Sequence, residues 1–144
     1  MDETKALVIE SIGSDVLTVK LSEILNCITD GDQYVWSLLW ITAIGSPDDL
    51  LVLEFEEKIN KSANGCIHDW KELFELSFRF HQIIEILIIG ALDSSKLHRY
   101  TSDEEMYESC HFVLELVDSS YWEVHTKSDI AFRKMKAELP VLVQ

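Results

Sequence analysis

Gln82-Ile83-Ile84-Glu85-Ile86-Leu87-Ile88-Ile89-Gly90-Ala91-Leu92 is the segment around which the rest of the chain must be arranged. β-branched side chains lose χ1 freedom in a helix and pack well on a pleated surface. A run this apolar, broken by one charge at Glu85, reads as a central strand covered on both faces. The flanking segments must then supply layers that cover it.

Working outward, Tyr34 to Ile44 is the second strand candidate. Alternation places Tyr34, Trp36, Leu38, Trp40 and Thr42 on one face, although Trp36, Leu39, Trp40 and Ala43 also satisfy helical spacing. Aromatic and β-branched enrichment favours a strand buried on both sides, with Trp36 and Trp40 in the core. Between the two strands lie two helices. Ser46-Pro47-Asp48-Asp49 offers an N-cap hydroxyl, a proline at the first helical position and acids in the first turn. Leu51, Val52, Phe55 and Ile59 then face inward, and Glu54, Glu57 and Lys58 face water. Asn64-Gly65 turns the chain. Asp69 and Glu72 have capping-box spacing, followed by Trp70, Leu73, Phe74 and Ser77 on a buried face.

Downstream, Ser102-Asp103-Glu104-Glu105 opens a short helix. His111–Val117 and Tyr121–Thr126 alternate around Asp118-Ser119-Ser120 and read as a hairpin. Phe112, Leu114 and Leu116 share one face of its first arm, and Trp122 and Val124 one face of its second. A last helix starts near Ser128-Asp129 and packs Phe132, Met135 and Leu139. Its Arg133, Lys134 and Lys136 complement the negative helix C-terminus. Upstream, Ala6–Ile12 and Val16–Val19 suggest a hairpin around Gly13-Ser14-Asp15. Leu21, Ile24, Leu25 and Ile28 suggest a short helix ending at Asp30-Gly31. The chain carries no repeat, low-complexity tract or linker. The expected fold is α/β (α+β): one domain over residues 1–144, a mixed, mostly antiparallel sheet of about four to six strands packed by about four or five helices.

Charge is the strongest compositional feature. The 144 residues sum to a net charge of −14, with 47% hydrophobic content. Twelve acids fall in residues 1–57, where Lys5 and Lys20 are the only basic side chains. A compact domain carries such charge at the expense of self-repulsion, most readily where some of it meets a basic partner. A sequence pI near 4.6 argues against a nucleic-acid ligand and against anionic membrane surfaces. The N-terminus is acidic where a signal peptide would be basic, and no apolar stretch is long enough to span a bilayer. Cys27, Cys66 and Cys110 form an odd, widely spaced set, which reads as free and mostly buried thiols. A cytoplasmic location follows as the expectation.

Catalytic and metal chemistry find little support. Cys66-x-His68 and Cys110-His111 offer thiol and imidazole groups. Spacing this short is awkward for chelation from a strand, where adjacent side chains point to opposite faces. Neither a nucleophile elbow nor a phosphate loop is present, and Gly13, Gly31, Gly45, Gly65 and Gly90 are isolated. Glu85 and Glu115 each interrupt an apolar strand. Buried side by side they would form an acid/base pair with separated pKa values. More ordinarily each sits at a sheet edge or pairs with a cation or a backbone donor. No cofactor or metal is expected, and a small hydrolase is the least favoured class.

Two acidic clusters are the candidate partner-binding residues. Asp48, Asp49, Glu54, Glu56 and Glu57 form the first; Asp103, Glu104, Glu105 and Glu108 form the second. A charge run is commonly just a solvated face. Two of them in a strongly anionic chain suit a surface that complements a basic groove and speeds encounter with it. Tyr100 and Tyr107 stand beside the second cluster as possible anchors or as half-buried core edges.

Three stretches carry a family resemblance: Asp32-Gln33-Tyr34-Val35-Trp36-Ser37-Leu38-Leu39 running to Ile44-Gly45, Asp69-Trp70-Lys71-Glu72-Leu73 with His81-Gln82-Ile83-Ile84, and Phe112-Val113-Leu114-Glu115-Leu116-Val117-Asp118-Ser119-Ser120-Tyr121-Trp122-Glu123-Val124. Between Leu21 and Leu139 the chain resembles immunity proteins of bacterial contact-dependent growth inhibition and polymorphic toxin systems. The resemblance implies a protein that binds the C-terminal toxin domain of a sibling cell's effector and blocks its active site or substrate groove. A nuclease, with its basic cleft, suits an acidic inhibitor best. The matched residues are scaffold, so no binding residue is carried over. The alternative class is a cytoplasmic interaction or regulatory module unrelated to toxins.

Overall fold

The computed structural model describes residues 4–10, 19–44, 49–80, 82–118 and 120–141, with side chains at 44 and 49–53 left out. Among the described residues six strands form one sheet: β1 (Lys5–Ile9), β2 (Val35–Ile44), β3 (Cys66–His68), β4 (Gln82–Ala91), β5 (Phe112–Val117) and β6 (Tyr121–Thr126). Their order is β1-β6-β5-β4-β2-β3, and every pairing among the described residues is antiparallel. The isoleucine run therefore lies between β2 and β5, as its composition requires.

Five α-helices of the described residues accompany the sheet: α1 (Leu21–Leu25), α2 (Asp49–Asn60), α3 (Trp70–Leu76), α4 (Asp103–Ser109) and α5 (Asp129–Glu138). α1, α2, α3 and α5 cover one face. Ile24, Ile59, Leu73 and Met135 from these helices pack with Trp36, Leu38, Ile88, Phe112, Leu114 and Trp122 of the strands. α4 and the segment before it cover part of the opposite face, where Leu97, Met106 and Cys110 meet Leu39, Ile89, Ala91 and Val113. We call these the major and minor faces.

Local chemistry starts the helices where the sequence predicts. Asp69 Oδ1 accepts the Glu72 N–H at 2.8 Å, and Glu72 Oε1 accepts the Asp69 N–H at 3.2 Å, closing a reciprocal cap. Ser102 and Ser128 cap α4 and α5 by accepting from Glu105 N and Ala131 N. The cap expected at Ser46–Asp48 lies outside the described residues, as do the side chains of Leu51 and Val52. The β5–β6 hairpin closes through Asp118, whose φ of +47° is one that Asp tolerates better than most residues.

β1 pairs along its length with β6. Of the hairpin expected at its other end, residues 11–18 lie outside the described residues. One expectation is corrected, that for Trp40. Leu38 faces Ile88 while Trp40 faces Leu87, so Leu39 is an extra residue in β2. Such a bulge swaps the parity of every later side chain. Ile41 and Ala43 thereby join Trp36 and Leu38 on the major face. Trp40 moves to the minor face and is 41% exposed.

β3 is short and pairs with only Trp36, Ser37 and Leu38. Beyond it, α2 satisfies the outer edge of β2. Asn60 takes both main-chain groups of Ile41 at 3.0 Å, and Glu56 Oε1 accepts the Ala43 N–H. Two side chains thus stand in for a missing strand, meeting the demand that buried backbone groups be paired. The turn into β3 passes through Gly65 at φ +77°, where a Cβ would sit 2.6 Å from the Leu38 carbonyl oxygen.

Candidate functional site

α4 covers the minor face over only half its length. Ile89 and Val113 beneath it are fully buried, but Leu87, Glu85, Glu115, Val117 and Glu123 farther along are half-buried. Strand register makes one row of Trp40, Leu87, Glu115, Glu123 and Val8 across five strands. Glu85 lies in the next row opposite Thr42, and its Oε2 accepts the indole N–H of Trp40 at 3.3 Å.

Of the placements expected for Glu85 and Glu115, the sheet edge and the cation partner are not the ones found among the described residues. Both are on central strands, and no lysine or arginine forms an ion pair with either among the described residues. Burial pushes the Glu115 carboxyl above its ordinary range, and the negative charges of Glu123, Asp103 and Glu85 push it further. His125 Nε2 lies 2.9 Å from Glu123 Oε1, and the Tyr107 ring stacks on His125 with centroids 3.5 Å apart. Burial and the negative charges of Glu123, Asp103 and Glu115 raise the Tyr107 hydroxyl to about 12. Tyr107, a neutral ring stacked on His125, thus stands between α4 and the carboxylate row.

The two sequence clusters are separated. α4 carries Asp103, Glu104, Glu105 and Glu108, all exposed, on the minor face beside the row. α2 lies on the major face through Phe55 and Ile59. There Glu54 is exposed, Glu57 lies 3.7 Å from Lys61, and Glu56 binds the β2 backbone. Asp48 and the side chain of Asp49 lie outside the described residues. One flat partner surface cannot meet both clusters.

The sequence reading missed Glu123, Trp40 and His125 as neighbours of Glu115. The hairpin turn held the signal for two of them: pairing Val117 with Tyr121 places Glu115 opposite Glu123 and Val113 opposite His125. Trp40 was hidden by the bulge.

Cys66 and His68 are two residues apart on β3, opposite Leu38 and Trp36, and so share the major face, contrary to the chelation argument. Both ring nitrogens of His68 are buried without a hydrogen-bond partner, and burial lowers its pKa. No group of three or more His, Cys, Asp or Glu able to hold a metal occurs among the described residues. All three cysteines are free, and burial raises the thiol pKa of Cys27 and Cys110. Among the described residues no helix is long and apolar enough to cross a membrane.

In comparisons with known proteins, no family model, curated sequence or solved structure matches the chain.

Proposed function

We propose that the protein is a stoichiometric inhibitor of a cationic partner: an immunity protein whose minor sheet face seals the basic groove of a cognate toxin domain, with a nuclease as the best-fitting toxin class. One observation carries this reading. An exposed tryptophan stands in one row with Glu115 and Glu123 on a sheet face that is half-buried there, and among the described residues neither carboxylate forms an ion pair with lysine or arginine, His125 being the neighbour of Glu123. Central strands ordinarily avoid opposed like charges, which destabilise the pairing. A partner's arginines and lysines would relieve that repulsion on docking, and Trp40 would supply the aromatic anchor typical of interface hot spots. Asp103, Glu104, Glu105 and Glu108 extend the negative field beside the row and would steer a basic partner to it. The net charge of −14 and the resemblance to immunity proteins support the same role.

The test is titration calorimetry with the C-terminal domain of the protein encoded immediately upstream, which this reading expects to be a toxin, followed by protection of cells that express that domain. The reading expects one-to-one binding that weakens with salt and is lost in a Glu115→Lys, Glu123→Lys variant that still folds. Binding unaffected by that variant, or failure to protect, overturns it. Capture of a basic cytoplasmic protein in place of the toxin would favour the interaction-module class.

A further inference from the structure

The chain also carries a cationic site, away from the carboxylate row. An open groove of about 560 Å³ runs between the start of β1 and α5, lined by Lys5, Asp129, Phe132, Arg133, Lys136 and Ala137. The Phe132 ring forms its apolar floor. Lys5 Nζ stands 5.9 Å from the ring centroid and Lys136 Nζ 5.3 Å from it. Lys5 is ion-paired with Asp129, and this contact holds the Asp129 carboxyl below its ordinary range. Arg133 and Lys136, three apart on α5 and so on neighbouring positions of its surface, have no ion pair among the described residues.

We infer that this groove binds a short acidic peptide segment, with its carboxylates on Arg133 and Lys136 and an apolar side chain on Phe132. Three arguments select that occupant. The uncompensated charge is positive, and the guanidinium fork of Arg133 matches a carboxylate. The patch is small on a molecule of net charge −14, so an extended polyanion such as a nucleic acid is repelled by the molecule as a whole. The groove also offers the Phe132 ring as an apolar surface, which a peptide side chain can cover and a small inorganic anion cannot use.

The experiment is fluorescence anisotropy with a labelled peptide alternating glutamate and leucine, compared with its glutamine–leucine counterpart. The intact protein is used beside an Arg133→Glu, Lys136→Glu variant whose fold is checked by circular dichroism. Both substituted positions are exposed. The glutamate peptide should bind roughly tenfold tighter than the glutamine peptide, the scale set by charge-assisted hydrogen bonds. The variant should lose that preference and favour a lysine–leucine peptide. Equal binding of the first two peptides, an unchanged preference in the variant, or displacement by inorganic phosphate at the peptide's own concentration each overturns the inference. The site lies on the major face, so its failure leaves the minor-face reading intact, and the converse holds.

Discussion

Glu115 of β5 and Glu123 of β6 stand directly opposite each other on the minor sheet face, and neither forms an ion pair with lysine or arginine among the described residues. This arrangement costs stability in the free protein. It is also the feature that a cationic partner would relieve. Stability and binding should therefore respond to mutation here with opposite signs.

The Glu115→Gln variant tests that opposition. Removing one of two opposed carboxylates should stabilise the protein at pH 7 by about 0.5 kcal/mol. The folded-state pKa of Glu115 is raised, so the native state holds its proton to higher pH than the unfolded chain. Its destabilising effect grows as pH rises through that window and is absent below the ordinary carboxylate pKa. The gain in the variant should vanish in acid, as urea titrations at pH 7 and pH 3 would read. Affinity for a basic partner should fall in the same variant.

Trp36 and Trp40 differ by four positions and by their surroundings. Trp36 is fully buried over Gly90, and its indole N–H donates to the Gly31 carbonyl at 2.9 Å. Trp36→Ala should cost about 3–5 kcal/mol and leave little folded protein. Trp40→Ala should cost about 1 kcal/mol, since much of the side chain already faces water. If Trp40 anchors the partner, its removal should weaken capture by at least about tenfold. Thermal melts and binding isotherms on both variants separate the two roles.

Among the acids of α2, Glu56 should be the one whose loss unfolds the sheet edge. Glu56→Ala leaves the Ala43 N–H without its acceptor and should destabilise by about 1–3 kcal/mol. Glu54→Ala and Glu57→Ala should lie within about 0.5 kcal/mol of wild type, because these side chains are exposed. Faster amide exchange at Ala43 in the Glu56 variant would locate the effect.

Gly90→Ala should destabilise by about 1–3 kcal/mol through overpacking. An added Cβ would lie 2.6 Å from the Trp36 ring, which is held on all sides and cannot retreat. The smaller change Trp36→Phe should partly restore stability in the double variant, as a double-mutant cycle would show.

The parts of this fold that were legible in the sequence are those decided within a few residues. The isoleucine run makes a central strand, although only its half toward Ala91 is covered on both faces, the Asp69–Glu72 and Ser102 caps start helices by reaching a backbone N–H three positions on, and the hairpin turn fixes its own register. The parts that were not legible depend on pairings between distant segments. One extra residue at Leu39 turned Trp40 from core to surface, because a strand alternates with period two and the bulge is visible only against β4. The docking of β1 on β6, the transfer of the β2 edge to Asn60 and Glu56, and the placement of α2 and α4 on opposite faces were likewise settled by tertiary packing. Charge could be counted from the sequence. Which carboxylates share a face, and which meet a cation, was determined only when five strands were set in register.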